Sequence, residues 1–83
     1  MLQVKVLGSG CPSCQKLEKL CFDVAAEHQL PMDFEKISDF AQFADYGIMI
    51  TPGLIINGRV MSSGKLPNPR TLANWMIAAH QQS

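Results

Sequence analysis

The sequence predicts a small α/β domain built on a mixed sheet. Three observations carry that expectation. The chain opens with an alternating apolar–polar run, then a helical stripe, then a second alternating run. It later carries Asn57-Gly58 between two apolar stretches. It closes on a second long helical stripe. The opening strand–helix–strand implies a parallel, right-handed pair. The Asn-Gly signal implies an antiparallel hairpin.

Each element has its own warrant. "LQVKVLG" alternates with period two and ends at Gly8. "GSG" follows as a turn. A helix begins around Cys11 and Pro12, where proline's missing N–H costs nothing. Cys14, Leu17, Cys21, Val24 and His28 recur at spacings of three and four, with Leu20 widening the stripe. That helix is expected to end near Gln29, before Pro31. "MDFEKI" alternates but has one largely polar face, which suits an edge strand. Ser38 is expected to cap a second helix, with Asp39 in its first turn and Phe40, Phe43 and Ala44 facing inward. Gly47 can take the left-handed conformation that ends it. Ile48–Ile50 and Leu54–Ile56 read as strand, interrupted by Thr51-Pro52. "GLII" and "RVMS" flank the Asn57-Gly58 turn as hairpin partners. Asn68 caps a last helix with Pro69 at its first position, and Leu72, Trp75, Met76 and Ala79 form its inner stripe.

Composition excludes several classes. Eighty-three residues make one domain, spanning 1–83, and 47% of them are hydrophobic. Seven basic residues balance seven acidic ones with no basic block, which argues against nucleic acid as a partner. No apolar run is long enough to cross a bilayer, and the first residues lack a signal peptide's apolar region. A cytoplasmic protein with no membrane partner, and a monomer, is therefore expected. Three cysteines are too few, and odd in number, for a disulfide framework.

The chemistry concentrates in "CPSC". Cys11 lies at the helix start and Cys14 one turn in. The exposed N–H groups and dipole of a helix N-terminus favour negative charge and push a thiol towards thiolate. Cys14 belongs to the buried stripe, so one sulfur is exposed for attack and the other is shielded. A strand, a C-x-x-C and a helix within a strand–helix–strand unit form a redox signature. The same thiolates would also suit copper(I) or zinc, as in a soft-metal carrier. A closed zinc site needs four ligands, however, and Cys21 lies about two turns deeper along the helix. A third reading is an interaction module that keeps the fold without physiological chemistry. Thr51-Pro52 weighs on the choice: it is read either as a cis bond in a tight turn or as an ordinary trans proline at a strand entrance.

With "GSGCPSC", "ITPGLIING" and "GK" after the final strand taken together, the chain resembles the thioredoxin-like superfamily. It is most similar to the small archaeal and bacterial proteins of the redox-active disulfide protein 2 type. The resemblance implies the order β-α-β-α-β-β-α. It implies a four-stranded mixed sheet in strand order 2-1-3-4, with helices on both faces. It implies that Cys11 attacks, Cys14 resolves and Pro52 is a cis-proline beside them. A thiol–disulfide oxidoreductase would then act on disulfide-containing client proteins. No cofactor motif is present, so electrons would come from a flavoprotein thioredoxin reductase or another dithiol donor. The chain departs from larger thioredoxins in lacking tryptophan before Cys11, and its first strand offers Lys5 instead of an acid. Where glutaredoxins carry Gly-Gly, "MSSGKLP" offers only Gly64, which makes glutathione dependence an unfavoured expectation. Thr51, Pro52, Gly64 and Tyr46 are the candidate substrate-binding residues, Tyr46 either packing or touching substrate. Met49 and Ile50 are expected in strand core, with an apolar approach for a client as the other reading.

Overall fold

In the computed structural model, which describes residues 2–8 and 12–82, the expected element order holds. The strands are β1 (Leu2–Leu7), β2 (Met32–Ile37), β3 (Gly53–Ile56) and β4 (Arg59–Ser63). The helices are α1 (Pro12–Glu27), α2 (Phe40–Asp45) and α3 (Pro69–Gln82). The sheet runs β2-β1-β3-β4, with β1 parallel to β2 and antiparallel to β3, and β4 antiparallel to β3. No helix among the described residues is long and apolar enough to cross a membrane.

Alternation in β1 sends Leu2, Val4 and Val6 to one face, where they are buried. There they meet Leu17, Cys21 and Val24 from α1 and Leu72, Ala73 and Met76 from α3. Leu54 and Ile56 complete this cluster from β3. The opposite face carries a smaller cluster of Leu7, Ile37, Phe43, Ile48 and Ile55, with Tyr46 against it. Helices thus cover both faces, but unequally. At six residues, α2 is only about 9 Å long and covers one end of its face.

The termini of the elements follow from local chemistry. The Asn68 side chain accepts from the Thr71 N–H at 2.7 Å, capping α3 as its sequence predicts. Leu30 N–H bonds Ala25 C=O at 2.8 Å with Gln29 at φ 54°, a left-handed closure of α1. Asn57 and Gly58 both have positive φ, as the expected type I′ turn requires. A bulge between Leu54 and Ile55 then shifts the register of β3 against β4. On the flank of α1, the Phe22 and Phe34 rings lie 4.5 Å apart, and Lys36 pairs with Glu18 at 3.5 Å. These contacts fasten α1 to the edge strand β2.

Four expectations need correction. Asp39, not Ser38, caps α2: its carboxylate accepts from the Ala41 N–H at 3.0 Å. Ala44 is exposed while Phe43 is buried in the small cluster; the Phe40 side chain lies outside the described ones. His28 lies past the end of α1 and is exposed, so the stripe stops at Val24 and Ala25. Ile48–Ile50 is not strand. Gly47, at φ 75°, reverses the chain, Ile48 N–H closes back onto Phe43 C=O, and Met49 and Ile50 emerge 93% and 63% exposed.

Candidate functional site

The candidate site forms where β1 ends and α1 begins. Cys14 lies in the first turn of α1, is 1% exposed and is disulfide-bonded. Cys11, the expected attacking thiol, lies outside the described residues. The Cys14 sulfur packs against Gly8, the residue that follows β1: a Cβ built on Gly8 would fall 2.2 Å from Sγ and 2.9 Å from the Cys14 Cβ. Gly8 itself is buried, and its N–H donates to Ile37 C=O at 2.9 Å.

Sheet register brings the second half of the site to the same place. Leu7 pairs with Gly53, so Gly8 and Pro52 are the next residues on the two antiparallel strands. Thr51–Pro52 is a cis peptide bond, with Pro52 buried and Thr51 half-buried. Two bonds from the end of β4 hold this loop. Gly64 N–H donates to Pro52 C=O at 2.9 Å, and the Ser63 hydroxyl donates to Ile50 C=O at 3.0 Å. Cys14, Thr51, Pro52 and Gly64 therefore gather at one end of the sheet, with exposed Met49 and Ile50 on the adjoining loop.

Tyr46 occupies a different position. It caps the C-terminus of α2, and its hydroxyl accepts from Lys5 Nζ at 3.3 Å on the α2 face of the sheet. The Lys5 ammonium also lies 5.2 Å from the centre of the Tyr46 ring. The stem of Lys5 is covered while its charged end reaches solvent. The hydrogen bond that Lys5 donates to the Tyr46 hydroxyl holds the Lys5 pKa above its ordinary value, with smaller help from Glu35 and Asp33.

Cys21 is a free, buried thiol on the α1 stripe. Burial pushes its pKa up to about 12, with a minor contribution from Glu18. It is thus a neutral core side chain at ordinary pH. Among the described residues, no three His, Cys, Asp or Glu side chains converge to hold a metal ion. A groove of about 210 Å³ lies between the hairpin and α3, lined by Asn57, Arg59, Met61 and Trp75 among others, and shares no residue with the Cys14 cluster.

Sequence reasoning treated Gly8 only as a strand end and missed its contact with Cys14. The available signal was a residue without a side chain at the last position before "SGCPSC". It also missed Ser63, whose hydroxyl reaches a loop thirteen residues away.

Comparison with known proteins agrees with this geometry. Residues 2–77 match the family model of a thioredoxin domain. The chain is 32% identical over 66 residues to a thioredoxin of Methanothermobacter thermautotrophicus, covering 80% of this chain and 86% of that protein. It is 24% identical over 68 residues to a thioredoxin of Methanocaldococcus jannaschii, covering 82% and 78% respectively. The crystal structure of the germline-specific thioredoxin Deadhead of Drosophila melanogaster superposes with a TM-score of 0.67 at 19% identity, over 93% of this chain and 79% of that one. With a family match across nearly all its length, and with the strand order and helix placement of that fold, the chain belongs to the thioredoxin family.

Proposed function

We propose that this protein is a thiol–disulfide oxidoreductase working through Cys11 and Cys14. The Cys11 thiolate attacks one sulfur of a client disulfide and forms a mixed disulfide, releasing the other client sulfur as thiolate. Cys14 then attacks Cys11, expels the second client thiol and leaves a Cys11–Cys14 bridge. Two electrons have passed to the client. A flavoprotein thioredoxin reductase or another dithiol returns them. Thr51, Pro52 and Gly64 form the rim on which an extended client segment would lie, and the exposed Met49 and Ile50 extend that rim with apolar surface. Tyr46, engaged with Lys5 and packed against the small cluster at the end of α2, is not assigned to that rim. The reading assigns the protein to the cytoplasm, where dithiol pairs are commonly catalytic and transient.

The observation that carries this reading is the environment of Cys14. It is a disulfide-bonded, nearly inaccessible sulfur in the first turn of a helix, at the end of the central strand, across from a cis-proline. Burial suits a resolving sulfur that must be shielded from outside thiols. Capture of copper(I) or zinc by the same pair gains no support from the surroundings, because the third thiol, Cys21, sits about two turns further along α1 inside the main core cluster.

Dithiothreitol-driven reduction of insulin tests the proposal. The wild-type protein is expected to accelerate it, and Cys11→Ser to abolish the acceleration. Cys14→Ser is expected to accumulate a mixed disulfide through Cys11 that gel electrophoresis without reductant resolves. Full activity in Cys11→Ser would overturn the reading.

A further inference from the structure

We infer that Gly8 is a positioning residue for the Cys14 sulfur, and that its lack of a side chain sets the balance between disulfide and dithiol. This rests on the redox reading above. The argument is steric. A Cβ at position 8 would lie 2.2 Å from the Cys14 Sγ, well inside any tolerated contact. Whether such an overlap matters depends on whether either partner can move.

Neither can. Gly8 continues the central strand, its N–H bonded to Ile37 C=O, and the preceding Leu7 is paired on both sides, with Ile37 and Gly53. Cys14 is on a helix pinned by Leu17, Cys21 and Val24 in the main core cluster. Gly64 offers the contrast. A Cβ there would meet Ile50 Cγ2 at 2.5 Å, but the Ile50 side chain is mostly exposed and can swing aside. The absent side chain at position 8 is therefore a fixed requirement of the Cys14 sulfur position.

That requirement differs between redox states. In the bridge, the Cys14 sulfur is tied covalently and must occupy the space beside Gly8. In the dithiol, rotation about the Cys14 Cα–Cβ bond lets the sulfur leave that space, and only the approach to the Cys14 Cβ, common to both states, remains. An added methyl at position 8 therefore penalises the disulfide more than the dithiol. The protein becomes easier to reduce.

The experiment equilibrates wild-type protein and Gly8→Ala with glutathione buffers and counts thiols by alkylation and mass. One oxidised glutathione takes two electrons and two protons from the Cys11–Cys14 pair and leaves as two reduced molecules. Gly8→Ala is expected to lower the equilibrium constant for bridge formation at least about tenfold, equivalent to about 30 mV. An unchanged constant, or a shift towards the bridge, would overturn the inference while leaving the redox reading in place. A wild-type protein that never forms the bridge would sink both, through a measurement independent of the variant. Should Gly8→Ala fold poorly, urea midpoints of the reduced proteins decide. Cys14→Gly removes both atoms that the new methyl would strike, so Gly8→Ala should lower the midpoint far less in that background. An equal drop in both backgrounds would show that Gly8 does not act through Cys14.

Discussion

The two faces of the sheet are covered to different degrees, and the difference shows where this protein is rigid. Under α1 and α3, Leu2, Val4, Val6, Leu54 and Ile56 sit in a continuous cluster closed by two long helices. Under α2, only the end near Leu7, Ile37 and Ile55 is covered, while Gln3, Asp33 and Glu35 are open to solvent. Lys5 and Tyr46 mark the margin between the covered and open parts. The Cys14 end of β1 lies where both clusters meet, since adjacent Val6 and Leu7 point into opposite ones. The candidate site is thus held from above by the closed cluster and from below by the small one.

Neighbouring residues of β3 can break this comparison most directly. Leu54 and Ile55 are both fully buried, yet face opposite clusters. Leu54→Ala is expected to cost about 4 kcal/mol and Ile55→Ala about 2 kcal/mol, because the short α2 can settle into the space left while two long, packed helices cannot. Urea denaturation of the two variants measures this, and equal losses would mean the faces are equally rigid.

A second effect, from the closed face and confined to alkaline pH, sharpens the comparison. Cys21 has its pKa raised by burial from 9.0 to about 12. Above pH 9 the unfolded chain loses this proton while the folded chain keeps it, so the unfolded state binds fewer protons and stability falls as pH rises. The contribution is fully present below pH 9 and is lost between pH 9 and about 12, at a slope of up to about 1.4 kcal/mol per pH unit. Cys21→Ala should show a shallower alkaline decline in denaturation midpoint across that window. An identical decline in both proteins would mean that water reaches Cys21.

The smallest expected effect belongs to the open margin. Tyr46→Phe removes the hydroxyl that accepts from Lys5 but keeps the ring. Because that bond is the main cause of the raised Lys5 pKa, the Lys5 titration should move down. The stabilisation it represents exists at pH values where Lys5 is charged and fades as the pH rises through its folded pKa. An NMR titration of the Lys5 side chain reads the shift directly, and an unmoved midpoint would remove Tyr46 from the account of this margin.

Much of the fold was legible because its causes are local. Alternation in "LQVKVL", the stripe from Cys14 to Val24, the Asn68-Pro69 cap and the Asn57-Gly58 turn each act within a few residues. Periodicity reports the angle at which a side chain leaves its own element. It does not report the length of whatever lies opposite. That is why Ala44 and His28, in phase with buried neighbours, are exposed: α2 is too short and α1 already over. Met49 and Ile50 failed for a related reason. An apolar run resembles strand core until a turn at Gly47 and the bonds from Ser63 and Gly64 draw it out to the surface.

By itself, the sequence determined the strands, the helices, the hairpin and the proximity of Cys11 to Cys14 along the chain. Those depend on backbone preference, capping and spacing, which short-range chemistry decides. Only the tertiary structure decided that Thr51–Pro52 is cis and that it stands across from Gly8. It alone decided that Gly8 must be bare to admit the Cys14 sulfur, and that Lys5 finds Tyr46 forty-one residues away. These are meetings of surfaces from distant segments, set by sheet register and helix placement together, and no local pattern carries the coordinates of its partner.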